Sequence, residues 1–491
     1  MKLRHQFKYA SALIPVIASV LASCSDSSGN ADTISGPTGE TLSVCHIAGS
    51  SGTLTDIKAS ELSDHLAHGD YLARVKVEKS ATTADGIHFG RITDALAAAR
   101  AGRLARGETV NARCRITIEV GPGVFIGSVS DTTNAAIERL PITIDVPDIT
   151  LSGSLVMLVD AKGRPVNVPG ASGNGASTTL VAKPGLVSIK TGNALDKYAE
   201  PLIVVNGHPN GPHGDGAVIE GFVMQSGNNA ADAIVGGNAV WTMRAQRLIV
   251  RRNQIEGGFS EPIEMRSSIG LVELNVLTGK GGSCALCMFG PGDYEVRSNR
   301  QVGATGRLAV LVFPTIFTAV PPGVEQLVLP ATALVTANVS NNEFRDHQEV
   351  PFGIGLRVAA VGPGAPDVVG SARVVAANND LSSNRFAIVA EAGFLVANTA
   401  QRGSIELTLF NNVLTGSCEV GLFVALNSQA TAISSQPGLS TKNSTYTISL
   451  GDDVQWSDVW YSHPAGTGNT LLVDGIEQPN GSRAPYDAKG C

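Results

Sequence analysis

Charge is scarce in this chain. Asp, Glu, Lys and Arg supply 16% of its 491 residues, against roughly 25% in an average globular protein. Disordered chains and long coiled coils are both charge-rich, so both are excluded. Aromatic residues make up 5%. The net charge of −7 and a pI near 5.8 give no basic surplus, so a nucleic-acid partner is not expected. Beyond the N-terminus no apolar run is long enough for a transmembrane helix. Apolar side chains (43%) and glycine (55 residues) are abundant. They suit a large core in a chain that turns often and packs narrow, repetitive layers. The length suggests about three domains, although an elongated repeat fold uses such a length as one.

The N-terminus reads as an address. Lys2, Arg4 and Lys8 precede a short apolar run, Ala10 to Val20, which ends in Leu21-Ala22-Ser23-Cys24. The run is too short to span a bilayer comfortably. The quartet resembles the lipobox of bacterial lipoproteins. That resemblance implies a signal peptide over 1–23, lipidation at Cys24 and membrane attachment through the lipid. An ordinary signal peptide with a coincidental cysteine is the alternative. Ser25, where inner-membrane retention would want Asp, resembles the outer-membrane sorting class, so the expected location is the cell envelope at the outer membrane. Residues 24–41 are rich in Ser, Gly, Asp and Thr and read as a flexible tether.

Six further cysteines remain: Cys45, Cys114, Cys284, Cys287, Cys418 and Cys491. An oxidising compartment permits disulfides, and six cysteines allow about 15 pairings. Cys284 and Cys287 have redox-pair spacing but lack the βαβ context of a thioredoxin-like site, so a local disulfide or two buried thiols is expected. Residues 42–80 form a small Cys/His module. Cys45-His46 opens it and His65-Leu66-Ala67-His68-Gly69-Asp70 closes it, similar to a short module of secreted bacterial proteins. Ser60 can cap a short helix and Gly69 can end it, placing His65 and His68 one turn apart on one face. Cys45, His46, His65 and His68 then have the donor types of a tetrahedral zinc site. The alternative is a Cys45–Cys114 disulfide with solvated histidines.

The rest, 85–491, reads as one repeat body. Thr93 is a plausible N-cap for an alanine-rich helix over 91–105 whose apolar face is Ile92, Leu96 and Ala99. Short β-branched strands broken by turns follow, at 115–120, 141–146 and 149–153. This order resembles the start of the pectate-lyase-like right-handed parallel β-helix family, which implies an all-β solenoid with an N-terminal capping helix. Six asparagines then align: Asn253, Asn275, Asn299, Asn342, Asn379 and Asn412, spaced by 22, 24, 43, 37 and 33 residues. The shortest spacings match one coil of such a helix, and the longer ones require loop insertions. Asn tolerates the left-handed conformation of a sharp bend, and stacked amides can hydrogen-bond from coil to coil. Residues three and five before each asparagine, and two after, read as inward and mainly apolar. Only the Asn299 coil breaks the last column, with Gln301. A second strand follows, with inward pairs Ile263/Met265, Leu286/Met288, Leu308/Val310, Ile354/Leu356, Ile388/Ala390 and Leu422/Val424. A β-sandwich, the competing fold, leaves the asparagine column unexplained. Past Ala430 the register stops, and Trp456, Trp460 and Tyr461 are expected to cap the last coil or to stack on sugar rings.

In enzymes of this fold class the site usually lies on the outer strip of that second strand. Here the strip offers Glu264, Arg266, Arg357 and Glu391 as candidate ligand-groove residues, with an Arg357–Glu391 ion pair as their ordinary explanation. Polygalacturonase-like motifs (Asn-Thr-Asp, Gly-His-Gly, Arg-Ile-Lys) are absent, and the outer columns lack the several acids that a calcium-dependent lyase requires. Arg345-Asp346-His347-Gln348-Glu349 resembles the Asp-Pro-His-Asp/Glu motif of alginate epimerases, without the proline and with the histidine one place early. That resemblance implies His347 as a base near Asp346 and Arg357, against the alternative of a polar loop. The reading that results is a cell-envelope lipoprotein whose β-helix body binds a polysaccharide or envelope partner without catalysis. The alternative is a lyase, epimerase or esterase acting on acidic glycans.

Overall fold

The computed structural model describes residues 41–479 apart from 49–50, 80–86, 105–113, 129–133, 135, 172–175, 183–200, 207–213, 227–236, 260, 279–283, 304–307, 315–331, 349–352, 361–368, 393–394, 397–398, 401–402, 418–419, 426–444, 451–458 and 462–468. Cys24, Cys418, Cys491, Glu349 and Trp456 therefore lie outside the described residues.

The central coils each contribute one strand to each of three sheets. Among the described residues, sheet I has 14 strands, sheet II has 8 and sheet III has 10. Along the central coils, for example, Leu248–Arg251 belongs to sheet I, Gln254–Glu256 to sheet II and Ile263–Arg266 to sheet III. Every pairing among these coils is parallel. The chain is an all-β parallel β-helix, and a β-sandwich is excluded because its sheets would be antiparallel. One continuous apolar core runs from Cys45 and Tyr71 to Leu471 and Val473. The small N-terminal module joins the body directly: its last strand, Arg74–Val77, pairs in parallel with Ile116–Val120 of sheet I. The ends of sheet I are short. His88–Phe89 closes one edge, and Ile476–Glu477 folds back antiparallel on Thr470–Val473 at the other.

The helix Ile92–Leu104 caps the N-terminal end, with Ile92, Leu96 and Ala99 buried as expected. Its cap is not Thr93. The Glu138 carboxylate, from a later coil, accepts from Ile92 N–H at 2.6 Å and from Thr93 N–H at 3.2 Å. Two unsatisfied helix-end donors thus find a partner 45 residues away or more, which no local motif encodes. Burial raises the Glu138 pKa, against the lowering effect of those two N–H groups.

The asparagine column forms a continuous amide ladder. Each Nδ2 donates to the Oδ1 of the next asparagine, at 3.2, 3.0, 3.1, 2.9 and 2.9 Å from Asn253 down to Asn412. Each Nδ2 also donates to a carbonyl of the preceding coil, as Asn342 does to Val296 O, and each Oδ1 accepts a backbone N–H from the coil above, as from Asn299 N–H. The bend itself is made elsewhere. The left-handed residue is the one before each ladder asparagine: Arg252, Leu274, Ser298, Asn341, Asn378 and Asn411, all with φ between 51° and 57°. The ladder side chain must point inward to stack, so the neighbouring residue, whose side chain faces outward, absorbs the turn. Three of the six turn residues are themselves asparagine, the non-glycine type best suited to that conformation.

Sheet III keeps the expected inward parity, but two coils slip by two residues. Val310/Val312 and Leu356/Val358 continue the stack, not Leu308/Val310 and Ile354/Leu356. A shift of two preserves in and out, so alternation alone cannot detect it. Gln301 does occupy the inward place opposite Phe344 and is buried there.

Candidate functional site

The register slip rearranges the outer strip of sheet III. One column reads Trp241, Glu264, Cys287, Leu311, Arg357, Val389 and Phe423. The other reads Met243, Arg266, Phe289 and Phe313, and then Ala359 and Glu391. Arg357 thus shares a column with Glu264, not with Arg266. Neither column is an open floor. Cys284, Cys287, Phe289, Leu308, Leu311, Phe313, Ile354, Phe386, Val389 and Phe423 form a second buried apolar cluster. The groove candidates are set into it as two separate pairs. Glu264 pairs with Arg266 and accepts from Asn238 Nδ2 at 2.9 Å, while Arg266 stacks on Trp241. Three strands further along, Arg357 pairs with Glu391. Glu264, Arg266 and Glu391 are buried, so these four residues do not line a shared ligand groove. Cys284 and Cys287, in the same cluster, form a local disulfide.

His347 is also displaced from its expected role. It is fully buried, and neither ring nitrogen makes a well-formed hydrogen bond among the described residues. Burial lowers its pKa from the ordinary 6.5 to about 4, opposed by the backbone of Gln301. Its own N–H donates to Asn384 Oδ1 at 3.0 Å. A ring enclosed in this way cannot reach a polymer outside the coil, so the base role at His347 is withdrawn. Asp346 bends the chain with φ 63° and pairs with Arg345 at 2.6 Å, while Arg357 is committed to Glu391. The three candidate catalytic residues do not converge.

A convergent charged cluster lies instead on the outer face of sheet II. The residues immediately after the ladder asparagines stack as Gln254, Val276, Arg300, Glu343, Asp380 and Val413. Glu343 Oε1 pairs with Arg345 at 2.8 Å and Oε2 with Arg300 at 3.3 Å. The hairpin formed by Leu158–Val159 and Pro165–Val166 reaches over this face. It is pinned by Gln254 Oε1, which accepts Val168 N–H at 2.8 Å, and it brings Arg164 to 3.6 Å from Glu343 and 3.9 Å from Asp380. Two carboxylates on adjacent coils thus face three guanidiniums. The hydrogen bond to Glu343 raises the Arg345 pKa. The sequence signal existed: reading one residue past each ladder asparagine gives Arg300, Glu343 and Asp380 in a row. The arrival of Arg164 is a loop placement that no periodicity announces.

The outer face of sheet I is the open one. Its charges form the ladder Glu220–Arg251–Glu273–Arg297–Glu295, with contacts from 2.6 to 3.7 Å. Further along, its columns become Thr336, Arg373, Glu406 and Thr447 beside Asn338, Val375, Thr408 and Ser449. At the C-terminal end Tyr461 is buried, and its hydroxyl is 3.0 Å from Gln478 Oε1, so it covers the last coil.

In the N-terminal module Cys45 is bonded to Cys114, so its sulfur is not a thiolate ligand. His68 also stays out of the cluster. The histidines that converge are His46 and His65, whose Nδ1 atoms lie 2.8 and 2.6 Å from Asp70 Oδ2. The helix leading there starts with a tight turn at Ala59–Glu61, where Glu61 accepts Lys58 N–H at 3.0 Å, so Ser60 is not its cap. It ends at Gly69, as expected, with φ 91°. Burial raises the Asp70 pKa, but Ile47 N–H and the two imidazoles outweigh that and hold it at about 2.

No protein-family model matches the chain, and no curated protein matches it. Among solved structures it is similar to the A-module of the mannuronan C-5 epimerase AlgE6 of Azotobacter vinelandii. The two are 12% identical with a TM-score of 0.37, over 83% of this chain and 97% of that one. At that score the likeness assigns no residue and no activity.

Proposed function

We propose that the chain is a lipid-anchored envelope protein whose β-helix body binds an extended polysaccharide or envelope partner without catalysis. The observation that supports binding is the open face of sheet I. There, polar side chains predominate on strands stacked at about 4.8 Å, with Val375 interrupting one column between Asn338 and Thr408, so donors and acceptors recur along the face, as an extended polymer would require. The strip of sheet III, the expected ligand groove, is filled by a buried apolar cluster and two separate ion pairs. A glycan array of the soluble body tests the reading. The expected result is selective binding that weakens by about tenfold or more when Asn338 and Thr408 are both replaced by Ala, the worth of one or two hydrogen bonds. Binding unchanged by that double substitution would remove this face from the interaction.

The anchor makes its own prediction. Cys24→Ala should move the protein from the membrane fraction to the soluble one, because the acyl chains that would hold it are carried on that sulfur. Continued membrane association would overturn the anchor.

The adjacent-coil acids favour a second reading, a lyase, epimerase or esterase acting on acidic glycans, with the half-buried Asp380 as the acid a sugar could reach and the buried Glu343 holding the guanidiniums in place. A carboxylate within reach serves acid or base roles, and guanidiniums suit an anionic sugar. Product formation that is lost in Asp380→Asn would replace the binder with this enzyme.

A further inference from the structure

The geometry points to a divalent transition-metal site in the N-terminal module formed by His46, His65 and Asp70. It is independent of the glycan reading.

Three elements converge there for local reasons. His46 lies on strand Thr41–Ala48, one residue after the disulfide that fixes that strand to Cys114. His65 lies in the last turn of helix Leu62–His68, and the left-handed Gly69 turns the chain so that Asp70 N–H bonds His65 O at 3.0 Å. That bond brings the Asp70 side chain back beside the His65 ring. Asp70 Oδ1 is fixed separately by Ile47 N–H at 2.9 Å, leaving Oδ2 to face both imidazoles. The two nitrogens and the carboxylate oxygen lie within 4.8 Å of one another, so small rotations about the side-chain bonds suffice to receive an ion at about 2.0–2.2 Å from each. The rings stand nearly perpendicular, at 83°, so their lone pairs approach from different directions.

The chemistry favours a metal over a purely structural hydrogen bond in two respects. Two nitrogens and one carboxylate are the donor set of zinc and neighbouring first-row ions. The Asp70 carboxylate is completely buried, while the His46 side chain is 46% exposed. The site is therefore anchored from inside and open to solvent on one side, which leaves room for a water or exchangeable ligand. An ion would take the Nδ1 lone pairs of both rings, with their protons carried on Nε2. Its role would be to clamp the module. The side of the module away from the body's core is held by a small separate cluster, Leu42, Val44, Ile57 and Leu62 with Ile87, and clusters this small are usually stapled. The disulfide holds one end, and the ion would hold helix to strand at the other.

Zinc chloride titrated into the purified protein by calorimetry is the test, with a thermal melt in parallel. The expected result is one zinc per chain, a higher melting temperature with zinc, and loss of both effects in the double variant His46→Gln, His65→Gln. His68→Ala should bind as the wild type does. Binding is also expected to survive replacement of both Cys45 and Cys114 by Ser, provided that variant remains folded by circular dichroism. Absence of stoichiometric zinc on the wild-type protein would overturn the site. So would full binding by the double histidine variant, or a requirement for His68.

Discussion

Asn342→Ala should destabilise the protein by about 4 kcal/mol, one of the larger losses open to a single polar substitution. Asn342 makes four buried side-chain hydrogen bonds. Its Nδ2 donates to Val296 O and Asn379 Oδ1, and its Oδ1 accepts from Asn299 N–H and Asn299 Nδ2. Truncation leaves these partners in a site that water does not reach, and each unsatisfied buried group costs about 1–3 kcal/mol. The end of the ladder is the internal control. Asn412 donates to Ala376 O and accepts from Asn379 N–H and Nδ2, with no asparagine beyond it among the described residues. Asn412→Ala, which gives up three such bonds instead of four, should therefore cost roughly three quarters as much. Urea midpoints of the two variants decide it. Equal, small losses would mean that the stacked amides contribute no more than an ordinary turn.

The second large effect is set by pH. His347 takes up its proton at about 4 in the folded chain and at about 6.5 when unfolded. Between those values the unfolded chain binds a proton that the folded chain refuses. The stabilisation is therefore fully present above pH 6.5 and is lost as pH falls toward 4, with a total of roughly 3 kcal/mol. The same fall in pH protonates carboxylates elsewhere, so the informative quantity is the difference between the wild type and His347→Leu. The variant should lose less stability between pH 7 and pH 4.5. Parallel curves for the two proteins would place His347 in contact with solvent.

The parts of the fold legible in the sequence were those written as period. Inward parity survived along every central strand, because alternation is enforced at each residue by burial on one face. Strand register was less legible. The slip in the Leu308 and Ile354 coils moves no side chain across the sheet, and the loops that set register carry no repeat. The asparagine column was legible as a position, but two tasks were assigned to one residue. Stacking belongs to Asn342 and its kin, and bending to the residue before each. For the candidate sites the difficulty was different. His347 is polar and sits beside charged neighbours in sequence, yet its ring is enclosed. Glu343 and Asp380 are separated by 37 residues and meet only through the coil. Asp70, adjacent to a glycine, only closes the His65–Asp70 motif in sequence, although its carboxylate is the centre of the histidine cluster.

The two margins of sheet I have a consequence for solution behaviour. Parallel stacking has no intrinsic stopping point, and an unfinished rung is a template for another chain. Here one margin offers only the two residues His88–Phe89. At the other, the turn at Asp474–Gly475 reverses the strand direction before Ile476–Glu477. An incoming molecule would meet a rung of the wrong polarity at one end and almost none at the other. Sheet I thus carries its own stop at each margin, and growth of one particle onto another through that sheet should be disfavoured.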